Sequence, residues 1–328
     1  MKKIILLIPL LLLFFASPVY ASDVTIPDNI VDTSKHNYSF AEMQEDILLL
    51  AQKYPDKITV SVIGTSVDGR AIYQVIMGNP QAGNAIFIMS TIHGREWMNS
   101  WILMEMLELN LNNWDLIAPC GETYGSVFNG CAIYLLPMVN PDGVEISQNG
   151  FKAINNEDLR NSLKNMKGAN NPKRWKANAH GVDLNRNFST AWNSKIDTPV
   201  PSSDSYNGTA PFTEPETLAV KAALDQRQFT AALTYHSSER TLYWNLGQTG
   251  ELLEKNQTLV THCQNILGYK IDVSDPPKGL DYNYMILDKK IPAVCIETGT
   301  VACPLPYSQF KKIWKENHMM MVTLAGCY

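Results

Sequence analysis

Ala85-Ile86-Phe87-Ile88-Met89-Ser90-Thr91-Ile92-His93-Gly94-Arg95-Glu96-Trp97 is the stretch on which the reading of this chain turns. Its first six residues form an apolar run of strand length, bounded by turn residues, and predict a buried strand. The following Trp101-Ile102-Leu103-Met104-Glu105-Met106-Leu107-Glu108-Leu109 reads as a helix. His93 and Glu96 therefore stand where a strand ends and a helix begins, which is where open α/β sheets build their sites. An imidazole and a carboxylate three residues apart can reach one cation from such a turn, and N/O donors suit zinc. Alone, a His-x-x-Glu pair is a weak signal, and a surface loop explains it as well until more ligands join it.

Outward from this unit, strands and helices alternate. On its N-terminal side, Ser39 can cap a helix through Met43, Ile47, Leu48, Leu49 and Ala51, ended at Tyr54-Pro55. Ile58 to Gly64 and Ala71 to Met77 read as strands, joined by the hairpin signal Ser66-Val67-Asp68-Gly69-Arg70. On its C-terminal side, Ala132 to Val139 reads as a buried strand ending at Asn140-Pro141-Asp142-Gly143. Residues 144–182 read as a long irregular loop, and such loops in compact domains tend to be functional. Thr213-Glu214-Pro215-Glu216 predicts a helix start with a capping box and an early proline. Phe229 to Tyr235 is a predicted strand with His236 at its end. Leu252 to Leu267 is a predicted helix, Pro292 to Glu297 a strand, and Phe310 to Leu324 a last helix. This alternation predicts a single α/β domain over 38–328, with a mixed, mostly parallel central sheet covered by helices on both faces.

Composition narrows the function classes. A chain of 328 residues that is 45% hydrophobic and 18% charged is an ordinary globular protein. Its formal charge of −5 argues against nucleic acid as a partner. Residues 1–21 have the form of a signal peptide: Lys2-Lys3, an apolar run from Ile4 to Ala16, and Val19-Tyr20-Ala21 before the cut. Its removal would take the charge to −7, leave residues 22–37 as an extended lead-in, and place a secreted protein in the cell wall or periplasm with no stable membrane anchor. Export permits disulfides. Of the six cysteines, Cys120 and Cys131 flank a Gly-rich loop and are the first expected pair.

Three separate predicted strands end in ionisable side chains: His93/Glu96, His236 and Glu297. Two His and one Glu make a catalytic zinc set with a fourth position open, and Glu297 is left over as a general base. Between them Asn185-Arg186 offers a fork suited to a carboxylate. His36 and His180 read as ordinary loop residues.

With these residues in view, the chain resembles the zinc carboxypeptidase (M14) family from about Tyr38 onward. The matching stretches are His93-Gly94-Arg95-Glu96, Pro137-Met138-Val139-Asn140-Pro141-Asp142-Gly143, Asp183-Leu184-Asn185-Arg186-Asn187-Phe188, Tyr235-His236-Ser237-Ser238 and Ile296-Glu297-Thr298-Gly299. The resemblance implies one zinc held by His93, Glu96 and His236, a terminal carboxylate held by Asn185 and Arg186, and Glu297 as base. It also implies that Lys176, after Trp175, replaces the arginine that stabilises the oxyanion in digestive members, and that Arg95 adds positive charge or holds a neighbouring group. The stretches Arg174 to Arg186 and His236 to Trp244 look most like the branch that cleaves γ-D-glutamyl-diaminopimelate bonds. In that reading Lys278 and Asp281 would meet the charges at the far end of diaminopimelate. The family's capping Tyr has no clear counterpart: Val273 stands near its place, and Tyr269 has the wrong spacing. The expected partner is a peptide or muropeptide substrate of a monomeric enzyme. The rivals are an ordinary carboxypeptidase acting on C-terminal L-residues and a zinc-dead peptide-binding protein on the same fold.

Overall fold

Strands form where the apolar runs are. The computed structural model describes residues 29–190, 192, 198–272 and 280–328. Within these, β1 (Ile58–Thr65), β2 (Ala71–Met77), β3 (Asn84–Ser90), β4 (Cys131–Leu136), β5 (Ala231–Ser237), β6 (Thr241–Tyr243), β7 (Lys270–Asp272) and β8 (Ala293–Thr298) build an eight-stranded sheet. Its order is β1-β2-β4-β3-β5-β8-β6-β7. The central strands β4, β3, β5 and β8 run parallel, as do β6 and β7; β1–β2, β2–β4 and β8–β6 are antiparallel. Strand alternation sends Ile86 and Ile88 to one core and Ala85, Phe87 and Met89 to the other, so β3 must be apolar throughout.

Helices cover both faces. One core holds apolar side chains of α1 (Phe40–Lys53), α2 (Met98–Asn112) and α3 (Tyr124–Gly130). α4 (Pro141–Asn149) and α5 (Glu157–Lys164) follow β4. The opposite core is closed by α6 (Pro215–Leu224), while α7 (Gly250–Leu267) returns to the first face. α8 (Asp281–Asn283) runs into a π turn over Tyr284–Asp288 and packs in the second core. α9 (Phe310–Asn317) and α10 (Met320–Ala325) finish the first. α2 is buried on nearly every side, and its Glu108 carboxylate accepts the Ile30 and Val31 amides, each at 2.8 Å. Ile30 and Val31 thereby join the core.

Several expectations change. The supposed irregular stretch 144–182 contains most of α4 and all of α5: Asn140 caps α4 with Pro141 in its first turn instead of ending a strand, and Asn156 caps α5 by accepting the Leu159 amide. Thr213 forms no capping box: Glu214 is the N-cap of α6, and its carboxylate goes to Asn178 and His180 instead. The last helix breaks at His318-Met319 into α9 and α10. Cys120 and Cys131 are not bonded, and all six cysteines are free thiols. Cys131 opens β4 with its side chain in the core, whereas Cys120 is exposed. The expected signal segment, Val273 and Lys278 lie outside the described residues.

Candidate active site

The parallel order β3-β5-β8 sets three strand ends side by side. His93 follows β3, three residues past its last residue, and Glu96 closes the short 3-10 turn Gly94–Glu96. Gly94 is required there: a Cβ would lie 2.2 Å from the Gly143 carbonyl carbon. The turn is tied down by its own backbone, since Gly94 N donates to the Lys176 carbonyl at 3.0 Å. His236 and Glu297 are ladder partners across β5 and β8.

The three proposed ligands converge. His93 Nδ1 lies 2.9 Å from Glu96 Oε1, and His236 Nδ1 lies 3.3 Å from both Glu96 Oε2 and His93 Nδ1. Donors around a tetrahedral zinc lie roughly 3.3–3.4 Å apart, given Zn–N bonds of about 2.0–2.1 Å. Two imidazole nitrogens facing each other at that distance beside a carboxylate suit a shared cation, so the residues fit zinc. All three side chains are buried. The outer nitrogens face carboxylates: His236 Nε2 is 3.0 Å from Asp281 Oδ2, and His93 Nε2 is 3.2 Å from Asp183 Oδ1, in ion-pair range but off the hydrogen-bond angle. Such outer carboxylates fix the imidazole orientation toward a metal. Beneath them Asn99, Ser237 and Thr298 form a buried hydrogen-bonded network.

A pocket of about 340 Å3 opens on this cluster. His93, His236, Lys176, Asn185, Arg186 and Glu297 line it. Lys176 Nζ is 3.3 Å from Asp183 Oδ2. Arg186 folds back to the Asn185 carbonyl at 2.8 Å. Asn185 Oδ1 accepts from the Asp281 amide at 2.7 Å, so the NH2 half is the part of its side chain left to donate. Glu297 is half-buried, and its Oε2 is enclosed without a hydrogen-bond partner. Burial pushes Glu297 up to about 7; His236 opposes this, and Glu96 and Glu239 add to it. Burial resists ionisation of Glu96 too, but His93 and His236 outweigh it and hold that carboxyl well below the usual range.

Two expected site residues lie elsewhere. Asp281 is fully buried behind His236 and does not line the pocket, so it cannot meet substrate charges. It begins α8, and the chain enters that helix with Leu280 toward the pocket. Arg95 turns its guanidinium to the Arg174 carbonyl at 3.4 Å and does not line the pocket either. Tyr269 is buried, with its hydroxyl on Glu316, and offers no cap. His180 sits in a loop with Nδ1 2.8 Å from Glu214. Sequence reasoning missed Tyr243, Tyr282 and Cys295, which line the inner wall of the pocket. Strand alternation carried a signal for Cys295, two residues before Glu297 and so on the same face. A larger cavity of about 730 Å3 lies by Asn84, Thr230 and Pro292, at the N-terminal ends of the strands and far from this cluster.

Comparison with known proteins identifies the family. The zinc carboxypeptidase family model matches residues 43–319. The chain is 33% identical to gamma-D-glutamyl-L-diamino acid endopeptidase 1 of Lysinibacillus sphaericus, covering 90% of this chain and 73% of that one. It is 27% identical to human mast cell carboxypeptidase A over 69% of this chain and 52% of the relative. The fold superposes on thrombin activatable fibrinolysis inhibitor with a TM-score of 0.70 at 19% identity, covering 90% of this chain and 76% of the other. The chain is a metallopeptidase that belongs to the zinc carboxypeptidase family.

Proposed function

We propose that this protein is an exported zinc peptidase that hydrolyses an amide bond next to a free terminal carboxylate in bacterial cell-wall peptides, of the γ-D-glutamyl-diaminopimelate type. The observation that carries the reading is a His93-Glu96-His236 cluster sharing one pocket with Asn185, Arg186 and Glu297. The cell-wall substrate is supported by the 33% identity to a γ-D-glutamyl-L-diamino acid endopeptidase, and export by the form of residues 1–21.

His93, Glu96 and His236 would hold zinc, which supplies Lewis-acid chemistry toward the scissile carbonyl. Arg186 and the Asn185 amide hold the carboxylate of the leaving residue, which confines cleavage to chain ends and orients the bond. Glu297, raised toward neutrality, takes a proton from the attacking water and delivers it to the leaving amine. Lys176 brings a positive point charge to the same pocket, where negative charge develops on the former carbonyl oxygen. The zinc-loaded protein, given purified muropeptides and a panel of ordinary L-peptides, should release diaminopimelate-containing products identified by mass spectrometry. Turnover of the L-peptides alone would hand the reading to an ordinary carboxypeptidase. Persistence of full activity after exhaustive chelation would remove the metal from the mechanism.

A further inference from the structure

The pocket lining carries both signs of charge. Lys176 and Arg186 are its cations. Glu239 is an exposed carboxylate lining the same pocket, to which the mechanism gives no role. Glu239 is held: its Oε2 accepts the Tyr243 hydroxyl at 2.7 Å. Burial, and then this carboxylate, push the Tyr243 phenol further up, so it stays a donor. Among the described residues no lysine or arginine pairs with Glu239. Its neighbour Arg240 is turned away, 2.9 Å from Glu316 and over the Tyr269 ring.

Register places Tyr243, which holds this carboxylate, relative to the chemistry. Thr241 of β6 faces Glu297 and Tyr243 faces Cys295. Tyr243 is thus displaced from the catalytic base by two residues of strand, about 6–7 Å. Leu280, Tyr282 and Cys295 give the same pocket an apolar to weakly polar wall. A side chain of several methylenes ending in an ammonium suits this lining: an apolar stem against the wall, and a cation for the carboxylate that Tyr243 holds.

We propose that Glu239, fixed by Tyr243, is a specificity residue that takes the side-chain ammonium of a leaving L-diamino acid. This rests on the peptidase reading above and assigns the role that Asp281 cannot fill. A site built to bind a substrate N–H group rejects an analogue that lacks it. The test measures kcat and KM of the zinc-loaded full chain on L-Ala-γ-D-Glu tripeptides ending in meso-diaminopimelate, L-lysine or L-norleucine, the last being without the ammonium. Wild-type protein should prefer the first two. Glu239→Gln should lower the lysine-to-norleucine ratio of kcat/KM by roughly tenfold, chiefly through KM, as expected for one charge-assisted contact at a half-open site. Tyr243→Phe should lower the ratio less. An unchanged ratio in Glu239→Gln, with zinc content intact, overturns the proposal. If wild-type protein cleaves none of the γ-linked tripeptides, the cell-wall reading falls, and benzoyl-glycyl-L-lysine against benzoyl-glycyl-L-norleucine reads Glu239 separately. A ratio lowered there keeps its role in binding a leaving ammonium; an unchanged ratio removes it.

Discussion

Glu297, half-buried, and Asp281, fully buried, are both acids beside His236, yet their surroundings give them different work. Glu297 has an enclosed oxygen with no partner and a value raised by burial to about 7. Only its ionised form accepts a proton, so kcat/KM should fall as pH drops through its titration. A bound cation favours the ionised form, so the acid limb of the loaded enzyme should lie below 7. Because Glu239 adds to the upward shift, Glu239→Gln should move that limb lower still, read from pH–rate profiles. Glu297→Gln should retain zinc by elemental analysis and lose roughly two to four orders of magnitude in kcat. Asp281 instead has one oxygen on His236 Nε2 and the other on the Tyr282 amide. Asp281→Ala should therefore weaken zinc binding by about 10–100-fold and slow all substrates alike, whereas a substrate contact would show up on diamino substrates alone. The ligands were readable in the sequence because each follows an apolar run whose end the residue types mark. The depth of Asp281 was not, because it depends on how Leu280 and Tyr282 pack on either side of it.

At the level of elements, the site is a junction of turns held by Asn140. Its Oδ1 caps α4 by accepting the Gly143 amide at 2.9 Å. Its Nδ2 reaches the Ile92 and Ala177 carbonyls, each at 3.1 Å, just before His93 and just after Lys176. One side chain thus joins the β3 exit, the start of α4 and the Lys176 loop. Asn140→Ala should cost about 1 kcal/mol for the cap and about 1–3 kcal/mol for each stranded buried carbonyl. Calorimetry should show a Tm lowered by several degrees, and zinc titration a weakened site. A purely local cap would lower Tm and leave zinc affinity unchanged. Here too the sequence was half readable. The long strands and the hairpin at Asp68-Gly69 follow period and turn chemistry, with Gly69 at φ +87° as that turn needs. α4 was hidden because Asn-Pro reads equally as a strand end or as an N-cap with proline at N1. The three-residue strands β6 and β7 carry too little pattern to stand out, and the pairing of β6 with β8, which places Tyr243 beside Cys295, is a tertiary fact.

For the whole molecule, the distribution of buried acids sets how stability depends on pH. Burial raises Asp46 on α1 and Glu105 on α2 to about 7, with Glu108 nearby adding to both, and raises Glu216 on α6 to about 8, helped by Asp142. A carboxyl whose folded value is raised favours the protonated folded state. Between its unfolded value near 4 and its folded value, the folded chain binds more protons than the unfolded one. Stability therefore falls as pH rises through that window, by up to about 1.4 kcal/mol per pH unit per group, and is flat above it. Asp183 and Glu214 act oppositely, because Lys176 and His180 respectively overcome burial and lower them. Their contribution is present above about pH 4 and lost only below it, so the two windows barely overlap. The metal-free protein should be most stable near pH 4–5 and lose Tm steadily toward pH 8. Scanning calorimetry in chelator reads this without zinc linkage. Asp46→Asn keeps a partner for the Tyr38 hydroxyl, now 2.5 Å from Asp46, and removes the ionisation. That variant should flatten the decline between pH 5 and pH 7. A Tm that is level or rising over that range in the parent protein would mean that these acids stay ionised in the fold, with water reaching the α1–α2 interface.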